Sequence, residues 1–207
     1  MRIHPDHLIL TTTDLQQGMD YVENLLGVRP VFAGQHLGLG THNALLSLGN
    51  QTYFEVIAPD PKQDFDKSKL WINIPDDSTP RLSRWVAQTD QLNTIVEIAK
   101  DKKIPLGDIQ SGGRTQTDGT LLSWHATFPD VENFGGLMPF FINWGNSLHP
   151  SKSLPLAGAL EIISGTHPQT NLIQDYWSHL GIPYKVTYGP NPQLHARIKT
   201  KNGIVEL

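Results

Sequence analysis

The apolar residues of this chain change period several times, and each change marks an element. The run HLILTTT, from His7 to Thr13, is short, aliphatic and β-branched, so it reads as a strand. Asp14 follows where a helix N-cap belongs. Leu15, Met19, Val22 and Leu26 then recur at helical spacing, and Gly27 is placed to end the helix in a left-handed conformation. Three strand-like runs come next, over Arg29–Ala33, Asn43–Leu48 and Thr52–Ala58, with Gly49 and Asn50 turning the chain between the last two.

That order of elements recurs twice. Ser83–Thr89 reads as a strand and Asp90 as a cap, followed by a helical stripe of Leu92, Ile95, Val96 and Ala99. Strands then fall near Gly107–Gln110, Thr120–Phe128 and Phe140–Trp144. Further on, Ala159–Ser164 is a strand, and Leu172, Ile173, Tyr176, Trp177 and Leu180 form a helical stripe that stops at Gly181. The closing strands lie near Tyr184–Tyr188, Leu194–Thr200 and Ile204–Leu207. Asp14 and Asp90 are 76 positions apart, and Gly27 and Gly181 are 154 apart, about twice that interval. The pattern predicts an α+β protein of three βαβββ units over 1–61, 81–145 and 156–207, packed as one globular unit. Two linkers separate them: Asp60–Pro80 is polar and contains Trp71, and Gly145–Pro155 is rich in Ser, Pro and Asn.

Composition narrows the chemistry. The net charge is -4 and there is no long Lys/Arg run, which argues against nucleic acid and anionic membrane as partners. Without cysteine there is no disulfide, thiol nucleophile or zinc finger. No apolar run approaches the roughly 20 residues that span a bilayer, and MRIHPDH lacks a signal-like apolar core, so a cytoplasmic location is expected. No P-loop, GxSxG, HExxH or GxGxxG occurs, which leaves nucleotide-dependent and serine-hydrolase chemistry unsupported.

Strand alternation then picks out a pair of residues. If Leu8 and Leu10 pack on the helix, His7, Ile9 and Thr11 face the other way. If Phe54 and Val56 pack on the helix side, Tyr53, Glu55 and Ile57 face away. Were the two strands neighbours, His7 and Glu55 would project into one concavity. An imidazole and a carboxylate there suit a divalent metal, an acid–base pair, or a buried ion pair with no further role.

The runs PDHLILTTTDLQQGMDYVENLLGVRP and GTHNALLSLGNQTYFEVIAPDP together resemble the opening module of glyoxalase-like proteins of the vicinal oxygen chelate superfamily. The resemblance covers residues 4–61 and extends more loosely over 81–145; beyond 155 it rests on element order. It implies βαβββ modules paired around a cavity, with curved mixed sheets and the helices outside. It also implies a metal ligand on the first and fourth strands of a module, where His7 and Glu55 stand. Glu55 doubles as a candidate proton-transfer base. The superfamily spans isomerases, dioxygenases, epimerases, thiol transferases and metal-free binding proteins.

The second unit does not supply the matching ligands. His7 carried forward 76 positions lands on Ser83, and the fourth strand of that unit offers Asn143. The third unit offers Glu161, 154 positions after His7, and Glu206, whose context IVEL is similar to FEVI around Glu55. A site of His7, Glu55, Glu161 and Glu206 would require the third unit to pair with the first, within the chain or across a homodimer, although pairing of the first two is simpler. Candidate substrate contacts are Thr41, His42 and Asn43 after a Gly-rich stretch that also holds His36, together with Arg114 and Asp118 in the loop SGGRTQTDG. Trp85, Trp124 and Trp144 are candidate aromatic walls; His125 and Trp124 alternate, so only one of them can face the cavity. The expected function is a metal-dependent enzyme, of isomerase, lyase or dioxygenase type, on a small oxygen-bearing substrate. The alternative is a metal-free protein that binds or sequesters a small molecule in the same cavity.

Overall fold

The first helix forms where its caps predict. In the computed structural model Asp14 accepts the backbone N–H of Gln17 at 2.8 Å, and Gly27 closes the helix at φ 75° with its N–H on Glu23 O. The elements are β1 (His4–Thr11), α1 (Leu15–Leu26), β2 (Val31–His36), β3 (Thr41–Ser47), β4 (Tyr53–Pro59), β5 (Arg81–Gln88), α2 (Leu92–Lys102), β6 (Gln110–Thr115), β7 (Leu121–Thr127) and β8 (Phe140–Asn143), then β9 (Gly158–His167), α3 (Thr170–His179), β10 (Lys185–Tyr188), β11 (Gln193–Thr200) and β12 (Gly203–Glu206). The structure describes all residues except 37, 67–68, 75, 78, 116–118, 120 and 129–133, so Asp118 and Thr120 lie outside the described residues.

Two local expectations change. The cap of α2 is Gln91 rather than Asp90, and it makes no side-chain capping bond; the Thr89 hydroxyl oxygen accepts the Gln91 N–H instead. Arg114 lies on β6 and not in a loop, because Gly112 and Gly113 serve close packing rather than a turn. A Cβ on Gly112 would run into the indole of Trp124 on β7.

The first two units share one curved mixed sheet in the order β2-β3-β4-β1-β5-β8-β7-β6. Their first strands, β1 and β5, pair antiparallel at its centre, and each also pairs in parallel with the fourth strand of its own unit. The sheet curls until its outer strands meet: Arg114 Nη1 on β6 donates to Ala33 O on β2 at 2.8 Å. Ala33 is the extra residue of a bulge between Phe32 and Gly34, so its carbonyl is released from the β2–β3 ladder for this contact. The third unit repeats the element order but not the strand order. Its sheet runs β10-β9-β11-β12, with the first strand between the second and third.

Strand alternation divides the interior in two. Leu8, Leu10, Phe54, Val56, Trp85 and Phe141 form the convex core with the apolar faces of α1 and α2, and with Ile163, Ile173, Trp177, Leu194 and Ile198 of the third unit. Trp85 and Trp177 meet edge to face at 6.0 Å and both donate their indole N–H to Leu137 O. Ile9, Leu45, Tyr53, Ile57, Val86, Ala126, Phe140, Ile142 and Trp144 form a second cluster on the concave side. Among the described residues no helix is long and apolar enough to cross a membrane.

Candidate functional site

Parallel pairing of β1 with β4 sets His7 opposite Tyr53 and Ile9 opposite Glu55, so His7 and Glu55 lie diagonally on the concave face. His7 Nε2 is 3.3 Å from Glu55 Oε2, and the Tyr53 ring stacks on the imidazole with centroids 4.3 Å apart. Behind them is Asp6, the extra residue of a bulge between Pro5 and His7, where β1 slips against β5. Asp6 is fully buried and accepts three N–H groups: His7 Nδ1 at 2.6 Å, Trp144 Nε1 at 2.8 Å and His149 Nε2 at 3.2 Å. His149 accepts the Ser151 N–H at Nδ1, which leaves its hydrogen on Nε2 for Asp6.

On the other side, Asn43 Nδ2 donates to Glu55 Oε1 at 2.6 Å and lies 3.4 Å from His36 Nε2. His36 Nε2 comes within 3.8 Å of Glu55 Oε1, and its Nδ1 is bonded to Thr41 Oγ1, which also accepts the Trp71 indole N–H. The electrostatics follow from these partners. Burial pushes the His7 pKa down, but hydrogen bonds to Asp6 and Glu55 and their charges outweigh it and raise the group to about 9. Burial pushes Glu55 up, but the His7 and Asn43 hydrogen bonds and the charge of His7 bring it down to about 2. Asp6 is lowered against its burial by His149 and His7. His36 is lowered, first by burial. Without an ion, these partners favour a charged His7 held between two carboxylates.

These groups open on a cavity of about 480 Å³. Its two halves differ in character. The first unit brings the ionisable groups His7, His36 and Glu55, with Asn43 and Tyr53, among the apolar Ile9, Leu39 and Leu45; the second brings Val86, Trp124, Ala126, Phe128, Phe140 and Ile142, with Gln110 and Ser111 at β6. Trp71 and Trp144 complete the aromatic wall, and two arginines, Arg84 and Arg114, enter from the second unit. Arg84 stands over the Phe140 ring at 5.3 Å.

The expected residues separate accordingly. Asn43, Arg114, Trp124 and Trp144 reach this cavity, and His125 is exposed, as alternation requires. Thr41 supports His36 and Trp71 from behind. His42 faces a different depression, beside Asp60 and Phe32. Trp85 is opposite Leu8 in register and so belongs to the convex core, not to the cavity. Asn143 shares the parity of Phe141, turns from the cavity and caps Gly145 N–H at 2.8 Å. Glu161 and Glu206 lie exposed on the separate sheet of the third unit, and Glu206 accepts Arg197 Nε at 2.6 Å. That unit packs on the convex side, so within the chain the large sheet stands between these carboxylates and His7. Asp6, His149 and Arg84 are site residues that sequence reasoning missed. Alternation sends Asp6 to the opposite face, His149 sits in an irregular linker, and Arg84 follows only once Trp85 is assigned to the core.

A metal can be tested against this donor set. With bonds of about 2.1 Å, two ligands at right angles on one ion stand about 3.0 Å apart, close to the 3.3 Å between His7 Nε2 and Glu55 Oε2. Asp6 on His7 Nδ1 is the outer carboxylate that orients a ligating imidazole. His7 and Glu55 therefore fit as a pair. The Asn43 amide stands between Glu55 and His36 where a third ligand would converge, and no group of three or more His, Cys, Asp or Glu among the described residues is arranged to hold an ion. The remaining positions would fall to water or substrate oxygens.

The family of glyoxalase-like domains matches residues 6–181. No curated protein matches the sequence. A hypothetical protein from Staphylococcus aureus has a similar structure, with a TM-score of 0.69 at 13% identity over 99% of this chain and 84% of that one, a likeness of fold. Methylmalonyl-CoA epimerase from Mycobacterium tuberculosis aligns at a TM-score of 0.46 and 17% identity, over 67% of this chain and 84% of its own. The paired modules, the cavity between them and the match over most of the length agree: this chain belongs to the glyoxalase-like domain family.

Proposed function

We propose that the protein is a cytoplasmic metal-supported enzyme that moves a proton on a small oxygen-bearing substrate, in isomerase or lyase chemistry, with His7 and Glu55 holding the ion. The observation that carries this reading is the 3.3 Å approach of His7 Nε2 to Glu55 Oε2 at the base of a cavity walled by aromatic rings. A divalent ion there would supply Lewis acidity to an oxygen of the substrate. Asp6 holds the His7 ring in place through Nδ1, and Asn43 fixes the Glu55 carboxylate through Oε1. Trp71, Trp124 and Phe140 line the same cavity with aromatic surface, which would limit water beside a bound substrate. The alternative role for Glu55, which lines the cavity, is that of the proton-transfer base.

The test is metal analysis of protein prepared without chelator or affinity-column metal, before and after reloading with Mn, Fe, Co, Ni or Zn. About one ion per chain is expected, and His7→Ala and Glu55→Ala should each lose it while circular dichroism stays native. Because the ion displaces the His7 proton, apparent affinity should climb up to about tenfold per pH unit until pH reaches about 9. Substoichiometric metal that reloading does not increase would overturn the metal reading.

A further inference from the structure

The proposed metal pair accounts for one end of the cavity, and the bond of Arg114 to Ala33 O, which closes the sheet, accounts for only part of that guanidinium. Arg114 is only 8% exposed, and it lines the cavity. Its Nη1 donates to Ala33 O at 2.8 Å and approaches Asn43 Oδ1 at 3.5 Å. Among the described residues no carboxylate lies within ion-pairing distance of it; Asp6 and Glu55, the buried acids nearby, are engaged by histidines and Asn43. A guanidinium has five N–H donors, and a buried charge is stabilised only when it is paired. Arg114 shares the lining of the cavity with Trp71, Trp124 and Phe128.

We infer that Arg114 receives the carboxylate of the substrate, and that the substrate is a small monocarboxylic acid with a flat apolar body and a second oxygen close to the carboxylate. This deepens the proposed function and rests on it for the position of the second oxygen. Asn43 sets the spacing, since one amide touches Glu55 through Nδ2 and Arg114 through Oδ1. A ligand that bridges the two ends carries its anionic group at Arg114 and its reacting oxygen at Glu55, on either side of Asn43, which a small acid with an oxygen near its carboxylate can do. The planar fork matches a carboxylate bidentately. A phosphate dianion would draw on more donors, and among the described residues no lysine lines the cavity. The aromatic walls take the apolar body by stacking and burial.

The experiment is a titration of the full-length protein, read by quenching of tryptophan fluorescence and by calorimetry, once in chelator and once with Mn²⁺. The probes are phenylpyruvate, mandelate, their methyl esters and phenyl phosphate. Both acids should bind at least about tenfold more tightly than their esters in both conditions. Arg114→Gln should remove that preference while the variant still takes up Mn²⁺, and Arg114→Lys should keep part of it. Equal binding of acid and ester, preference for phenyl phosphate, or an unchanged preference in Arg114→Gln would overturn the inference. The comparison of acid with ester on the unaltered chain holds even if the variants fail to fold. Failure to bind Mn²⁺ with the acid preference intact would count against the metal pair alone.

Discussion

Asp6 gathers N–H donors from β1, from the end of β8 and from the linker that follows it, and so anchors three separate stretches of chain on one buried carboxylate. His7 is charged because of it. Asp6→Asn should bring the His7 pKa down from about 9, which NMR titration of the imidazole would read; no movement would show that Glu55 alone sets it. Stability carries the same signature. Glu55 and Asp6 have lowered values, so their contribution is present above the ordinary carboxylate range and fades on acidification, for Glu55 toward about 2. His7 is raised, so its contribution is complete below its ordinary 6.5 and fades as pH rises through about 9. Denaturant melts should therefore show greatest stability from about pH 4.5 to 6.5, with an alkaline limb that His7→Gln removes. A flat profile through pH 9 would contradict the buried imidazolium. His7 and Glu55 were legible from alternation alone. Asp6 was not, because a bulge reverses alternation and nothing in the local letters marks it.

At the scale of elements, glycines show where packing overrides propensity. Gly18 sits inside α1, where alanine would ordinarily favour the helix by about 1 kcal/mol. Its Cβ would stand 2.6 Å from Val56 Cγ1 on β4 and 2.7 Å from Thr12 Cγ2, so the helix would have to lift off the sheet. Gly18→Ala should thus destabilise the protein by about 1–3 kcal/mol, measured by denaturant unfolding; a gain in stability would mean that the helix has room to shift. Helix and strand existence followed from periodicity through most of the chain. The segment over β6 did not, since SGGRT has the letters of a turn and becomes a strand only because β7 and Trp124 lie against it.

For the molecule as a whole, the third unit closes the convex core while the cavity opens on the other face. Its role is to bury what two paired modules leave bare. Trp177 is fully buried against Trp85 and hydrogen-bonded to Leu137 O, so Trp177→Ala should cost about 3–5 kcal/mol although it lies across the sheet from His7. A single cooperative transition moved to lower denaturant would confirm that the unit is part of the same core. A separate early transition with the rest unmoved would show that it folds independently.

The sequence by itself determined the α+β class, the three helices, the βαβββ element order that recurs along the chain and the shared face of His7 and Glu55, because period and capping are local properties of a chain. It also carried the family, whose module its first sixty residues resemble. Tertiary structure alone decided which units pair, which face the third unit covers, and that Glu161 and Glu206 stand apart from His7. It also decided that Arg114 is buried against Ala33, across the closure of the sheet. Pairing depends on curvature and on contacts between residues far apart in sequence, and no pattern within one segment encodes those.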